Sequence, residues 1–153
     1  MSWSTQHWCP WTPCVRYYTG KPLFAAFEGL SYTTFETTCT TQETNAAVAA
    51  HSNKTLTLLC TVKNTGLRDG DAILLLFHRP PPPITTARQR PIRRLLDFHR
   101  VSVPAGESSA PQRFAIEIPG QLLLVGENGK RVQVPGVHGL EVQDGPRFNV
   151  TLP

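Results

Sequence analysis

Eleven acidic residues are the first candidates for chemistry, because hydrolysis by general acid and base needs two carboxyl groups held in different protonation states. Glu28, Glu36, Asp69, Asp71, Asp97, Glu107 and Asp144 sit mostly in turns or beside glycine. Acidic residues in such places form turns or carry solvated charge, so their number makes no catalytic pair, and no catalytic residue is assigned. Asp69-Gly70-Asp71 offers the oxygen ligands that calcium takes, but the twelve-residue EF-hand loop is missing and Arg68 adjoins, so a hairpin turn fits better. Cys9 and Cys14 enclose Pro10-Trp11-Thr12-Pro13, a spacing that suits a small disulfide loop or two metal ligands. Zinc would need two further ligands at a matching short spacing, and none follows, so no metal is expected. Cys60 reads as a small buried apolar residue and Cys39 as a free thiol near a strand end, and the pairing of Cys9, Cys14, Cys39 and Cys60 stays open. His7, His51, His78, His99 and His138 are scattered and read as structural or surface residues. The sequence has no GxSxG, no phosphate loop and no Gly-rich dinucleotide turn, so no cofactor is expected.

The segment 88–100 is basic, with Arg88, Arg90, Arg93, Arg94, His99 and Arg100. Clustered arginines can hold phosphate or carboxylate, but no aromatic residue interleaves Arg88 to Arg94 as a stacking platform for single strands requires. The net charge of +4 is small for a nucleic-acid binder. No nucleic-acid partner is expected, and the segment reads as a solvated loop and strand face or a docking surface. No run of 18 apolar residues occurs, so no membrane helix is expected. Met1-Ser2-Trp3-Ser4-Thr5-Gln6-His7-Trp8 has neither the basic start nor the apolar stretch of a signal peptide, which taken alone leaves the chain in the cytosol. Asn53-Lys54-Thr55 and Asn149-Val150-Thr151 fit the N-glycosylation acceptor pattern and point the other way.

The elements that would position these residues are short strands. A chain of 153 residues with 40% hydrophobic content suits one globular domain with a core. Residues 1–15 are rich in Trp, Pro, Ser and Thr, show no period and are expected to be disordered. Residues 16–31 read as an irregular connector anchored by Phe24, Phe27 and Leu30. Tyr32 to Thr38 is rich in strand formers. Leu56, Leu58, Cys60 and Val62 alternate with Thr57, Leu59, Thr61 and Lys63, a period of two that turns the first set to a core. Asn64-Thr65-Gly66 and Asp69-Gly70 are turn signals, and Ala72 to Phe77 is a continuous apolar run of a strand buried on both faces. Pro80-Pro81-Pro82-Pro83 cannot extend a sheet and is expected as a stiff surface segment, followed by a loop over 84–91. Ile92 to Val103 reads as a strand region with a bend, closed by Pro104-Ala105-Gly106. Phe114, Ile116 and Ile118 alternate as a half-buried strand. Gln121 to Val125 and Lys130 to Val134 flank Gly126-Glu127-Asn128-Gly129 as a hairpin, and Gly139 to Val142 and Phe148 to Leu152 supply the last strands. Seven or more short strands, with turn signals about every 8–12 residues, indicate an all-β, antiparallel immunoglobulin-like or fibronectin type III-like β-sandwich over 32–153, with an irregular N-terminal segment. Trp3, Trp8 and Trp11 all lie in the head, so none can be the core Trp of an antibody domain.

Several motifs, in order, carry a resemblance. Arg16-Tyr17-Tyr18-Thr19-Gly20 leads into Gly20-Lys21-Pro22-Leu23-Phe24 and Gly29-Leu30-Ser31-Tyr32-Thr33-Thr34-Phe35. Thr61-Val62-Lys63-Asn64-Thr65-Gly66 and Asp69-Gly70-Asp71 follow, then Leu95-Leu96-Asp97-Phe98-His99-Arg100-Val101 and Pro104-Ala105-Gly106-Glu107-Ser108. Together these resemble the C-terminal part of glycoside hydrolase family 3, the β-glucosidases and β-xylosidases: the exit from the preceding domain and a fibronectin type III-like domain. The resemblance covers roughly residues 16–152. Three motifs depart from the family pattern. Phe24-Ala25-Ala26-Phe27 stands for Phe-Pro-Phe-Gly, Leu95-Leu96-Asp97-Phe98 for Leu-x-Gly-Phe, and His138-Gly139-Leu140-Glu141-Val142 for Tyr-x-Leu-x-Val-Gly. The resemblance implies a secreted parent enzyme whose nucleophilic Asp and acid/base Glu lie in domains that precede the matched part, so no catalytic residue carries over. It implies a non-catalytic accessory fragment whose partners are the catalytic domains, with glycan contact as a further option. A stand-alone sandwich binding a protein or glycan is the alternative, and an enzyme with a new active site ranks last.

Overall fold

The computed structural model describes residues 27, 29–41, 54–82, 91–126 and 128–153. Nine strands run through them: β1 Phe35–Thr41, β2 Lys54–Asn64, β3 Gly70–Arg79, β4 Arg94–Val103, β5 Gln112–Ile118, β6 Leu124–Val125, β7 Arg131–Val132, β8 Gly136–Val142 and β9 Arg147–Leu152. They form a three-stranded sheet ordered β1-β2-β5, a four-stranded sheet ordered β4-β3-β8-β9, and the small β6-β7 hairpin. All pairings are antiparallel.

The period of two builds the core. Leu56, Leu58, Cys60 and Val62 of β2 and Phe114, Ile116 and Ile118 of β5 turn inward from one sheet. Leu74 and Leu76 of β3, Leu140 and Val142 of β8, and Val150 and Leu152 of β9 meet them from the other. Burying each of these side chains contributes about 1.5–3 kcal/mol against leaving it in water.

β1 begins three residues later than the composition suggests, and Tyr32 is exposed. The cause is a tether: Thr33 Oγ1 donates to Asn64 Oδ1 at 2.5 Å and Thr65 N donates to Thr34 O at 2.8 Å. The ladder starts only at Phe35 opposite Asn64. Asn64 is wholly buried; its Oδ1 also accepts from Gly66 N at 3.0 Å, and its Nδ2 donates to Arg68 O at 2.8 Å and Val103 O at 3.0 Å. One side chain thus ties the β2–β3 turn to the end of β4 and to the chain entering β1.

The apolar run in β3 is buried on both faces except at Ile73, which is 58% exposed. On the outer face Phe77 is covered by the Phe27 ring, 5.4 Å away, and by the Arg93 guanidinium, 4.4 Å over its centroid. Of the three expected anchors, Phe27 packs, Leu30 is fully exposed and Phe24 lies outside the described residues. The bend in β4 is a bulge: Leu76 faces Asp97 while Phe77 faces Leu95. The proline run does not lie wholly on the surface. Pro81 is buried against Gly136, where an added Cβ would sit 3.2 Å from Pro81 Cβ and φ is +125°, so Gly136 lets the backbone approach. Residues 83–90 and most of the 84–91 loop lie outside the described residues. Gln121 opens no strand: Gly120–Leu122 is one turn of 3-10 helix, because Arg94 donates to the carbonyls of Gln121 and Leu123 and Leu122 N donates to Pro119 O. The 1–15 head lies outside the described residues.

Candidate functional site

Two carboxylates, Asp71 and Glu141, are paired with arginine and lie apart. Asp71 on β3 accepts from Arg100 Nε at 2.9 Å and Nη2 at 2.5 Å. Hydrogen bonds from Arg100 and Ser102, and the charge of Arg100, hold its pKa below the ordinary carboxylate value. Burial pushes Glu141 of β8 upward, but the hydrogen bond and charge of Arg79, with the charges of Arg147 and Arg93, outweigh it and leave the pKa lowered. Its oxygens lie 2.8 Å from Arg79 Nε and 3.1 Å from Arg147 Nη2. Glu141 stands opposite Phe77, six positions along β3 from Asp71, a separation of about 20 Å at strand rise. Paired glycosidase carboxyls stand about 5–9.5 Å apart, and the acid member has a raised pKa. These two meet neither condition.

The remaining acidic candidates do local work. Asp69 Oδ1 accepts from Ala105 N at 2.8 Å, and Asp97 Oδ1 accepts from the neighbouring Phe98 N. Glu107 gives its backbone carbonyl to Asn64 N. Glu36 and Asp144 line an open groove with Thr37, Cys39 and Pro146 at the edge of β1. Glu28 lies outside the described residues, as do Arg88, Arg90, Cys9, Cys14, His7 and His51. The described arginines of the basic segment have partners within the molecule: Arg93 donates to Gln143 Oε1, Arg94 to carbonyls and Arg100, at the surface, to Asp71. Among the described residues no group of three or more His, Cys, Asp or Glu could hold a metal ion, and no helix is long and apolar enough to cross a membrane.

Two arrangements differ from the sequence reading. Cys39 is not a free thiol and Cys60 is not merely an apolar filler: they form a disulfide with Cα atoms 4.1 Å apart. They are directly opposed in the β1–β2 ladder, and opposed residues at a non-hydrogen-bonded position bring their Cα atoms within about 4.5 Å. His78 and His138 also meet. Both are wholly buried, with His78 Nε2 2.8 Å from His138 Nδ1. Their rings are inclined by 9° with centroids 5.1 Å apart, the geometry of an in-plane hydrogen bond rather than of face stacking. His138 Nε2 lies 2.8 Å from Val134 O. A carbonyl only accepts, so Nε2 carries the proton, Nδ1 accepts, and His78 Nε2–H is the donor. His78 Nδ1 is left buried with no partner among the described residues. Burial first, then the charges of His138 and Arg94, lower the His78 pKa to about 3. The pair stays neutral and braces β3 against β8. No local spacing signalled it, because the two residues are 60 positions apart.

No family model matches the sequence. "Probable beta-glucosidase J" of Neosartorya fischeri is 37% identical over 99 residues, 64% of this chain and 11% of that protein. "Beta-xylosidase/alpha-L-arabinofuranosidase 2" of Medicago sativa subsp. varia is 28% identical over 149 residues, 84% of this chain and 19% of its own length. Among solved structures, a β-glucosidase from Erythrobacter marinus superposes with a TM-score of 0.69 at 25% identity, over 90% of this chain and 18% of that one. A β-glucosidase from Listeria innocua shares the fold, with a TM-score of 0.67 at 22% identity. The chain therefore spans between about a tenth and a fifth of the length of the β-glucosidases and β-xylosidases it is similar to.

Proposed function

We propose that this chain is a non-catalytic accessory domain, the C-terminal fibronectin type III-like sandwich of a glycoside hydrolase family 3 enzyme of the β-glucosidase or β-xylosidase type. The observation that carries the reading is the share of each partner covered: 90% of this chain against 18% of a β-glucosidase. The strand order supports it. β4 lies beside β3 in the β4-β3-β8-β9 sheet and not with β1, β2 and β5, whereas the antibody constant domain puts its fourth strand in the other sheet. Residues 16–31 are the connector and 32–153 the sandwich in this reading.

Its role is to pack on the catalytic domains of the parent enzyme and to brace them. The outer face of the four-stranded sheet divides in two. On β3 and β4 it presents Ile73, Leu95 and Phe98, 58%, 41% and 62% exposed, beside the Phe77 on which Phe27 of the connector sits, with the exposed Asp71–Arg100 pair confined to the far end of β3. On β8 and β9 it presents Glu141, Arg147, Asn149 and Thr151. The apolar half, already touched by the connector, is the docking surface in this reading. The Cys39–Cys60 bond supports maturation in an oxidising compartment, as a secreted parent requires. An immunoblot of the native source with an antibody against this chain tests the reading. The expected result is a species several times larger than 17.0 kDa; a single species at 17.0 kDa would favour a stand-alone module instead.

A further inference from the structure

We propose that Asn149 is an N-glycosylation site, and that its glycan keeps the β8–β9 half of the outer face in solvent. The inference rests on the oxidising-compartment part of the reading above. The Asn149-Val150-Thr151 triplet falls on β9 so that Asn149 and Thr151 are exposed on one face while Val150 is buried. β9 is an edge strand, and its free side carries no paired neighbour among the described residues. An amide modified before folding therefore meets no packed side chain afterwards, and a glycan there leaves the core unchanged. In the transfer, the Asn149 amide nitrogen bonds to the anomeric carbon of a polyprenyl diphosphate-linked oligosaccharide. The anomeric C–O bond breaks, the diphosphate leaves with the bonding pair, and the amide gives up one proton; nothing is oxidised or reduced.

The position also answers a structural need. Unpaired strand edges template association, and Lys or Pro within the strand is a usual defence. β9, Arg-Phe-Asn-Val-Thr-Leu, has one charged residue, Arg147 at its start, paired with Glu141, and none beyond it, and Val137, opposite Thr151 on the same face, is 53% exposed. A glycan on Asn149 covers this margin and leaves the apolar β3–β4 half free.

The test translates the full chain behind a cleavable leader into endoplasmic-reticulum microsomes, in an Asn53→Gln background that removes the other acceptor. Protease protection and the non-reducing gel shift of Cys39–Cys60 identify the translocated, oxidised pool. Within that pool the expected result is one mobility step removed by endoglycosidase H, absent in Asn149→Gln and Thr151→Ala and kept in Thr151→Ser. Identical mobility of Asn149→Gln and its parent in that pool overturns the proposal, while leaving the accessory-domain reading to its own immunoblot. Enzymatic removal of the glycan from folded protein should raise self-association in sedimentation; unchanged sedimentation refutes the shielding role.

Discussion

The Cys39–Cys60 bond joins directly opposed residues of an edge strand and its neighbour, and its loss can be given a size. It closes a sequence separation of 21 residues. The loop-entropy relation assigns such a closure about 3 kcal/mol at 25 °C, acting through the unfolded chain. That is a large share of the roughly 5–15 kcal/mol that holds a domain together. The two native partners remain: β1 still pairs with β2 over seven residues, and Thr33 still reaches Asn64. The expectation is thus a folded protein that unfolds at lower denaturant, with a steeper dependence because its unfolded state expands. Urea unfolding followed by circular dichroism should show a loss of about 3 kcal/mol both in the Cys39→Ala/Cys60→Ala double variant and in the reduced wild type. Agreement between the two matters, because only the shared link can produce it. An unchanged midpoint after reduction, or free Cys39 and Cys60 in a thiol titration of untreated protein, would show that no such link stabilises the fold.

Two further predictions concern buried polar groups. The His78 pKa is lowered to about 3, while an unfolded histidine titrates near about 6.5. The unfolded chain then binds the proton that the folded one refuses, so stability falls as the pH drops below about 6.5, by up to about 1.4 kcal/mol per unit, until about pH 3. The lowered carboxyls of Asp71 and Glu141 deepen the loss in the same direction at the acid end. Urea midpoints measured between pH 7 and 4 check this, and a flat profile contradicts it. Asn64→Ala removes two accepted and two donated hydrogen bonds at a buried residue, each unsatisfied group costing about 1–3 kcal/mol. A fall of at least about 3 kcal/mol in unfolding free energy is expected, and a loss under about 1 kcal/mol would show that water replaces the side chain without penalty.

The strand pattern was legible wherever one face of a sheet decides it. Leu56 to Val62 and Phe114 to Ile118 alternate in the sequence and in the core, because a period of two leaves a strand one way to bury its apolar set. The β4 bend was legible as a bend, though not as the bulge opposite Leu76 and Phe77. What escaped depends on long-range register. Cys39 and Cys60 become partners only once β1 and β2 are aligned residue by residue, and His78 meets His138 only through the β3–β8 pairing. The start of β1 was misplaced because Thr33 and Thr34 are strand formers by type, yet here they serve the Asn64 tether. Proline's inability to join a ladder says nothing about whether its ring packs, and Pro81 packs because Gly136 supplies the space. The functional reading came from ordered motifs rather than from any constellation of reactive groups.

In the role proposed above, this sandwich serves a glycosidase without cleaving glycosides itself. The direct measurement is an assay of the purified chain, shown to be folded and β-rich by circular dichroism, with 4-nitrophenyl β-D-xyloside and β-D-glucoside. No turnover above the buffer blank is expected. Turnover that survives purification and disappears in Asp71→Asn or Glu141→Gln would contradict it, since both carboxylates are here held ionised by arginine.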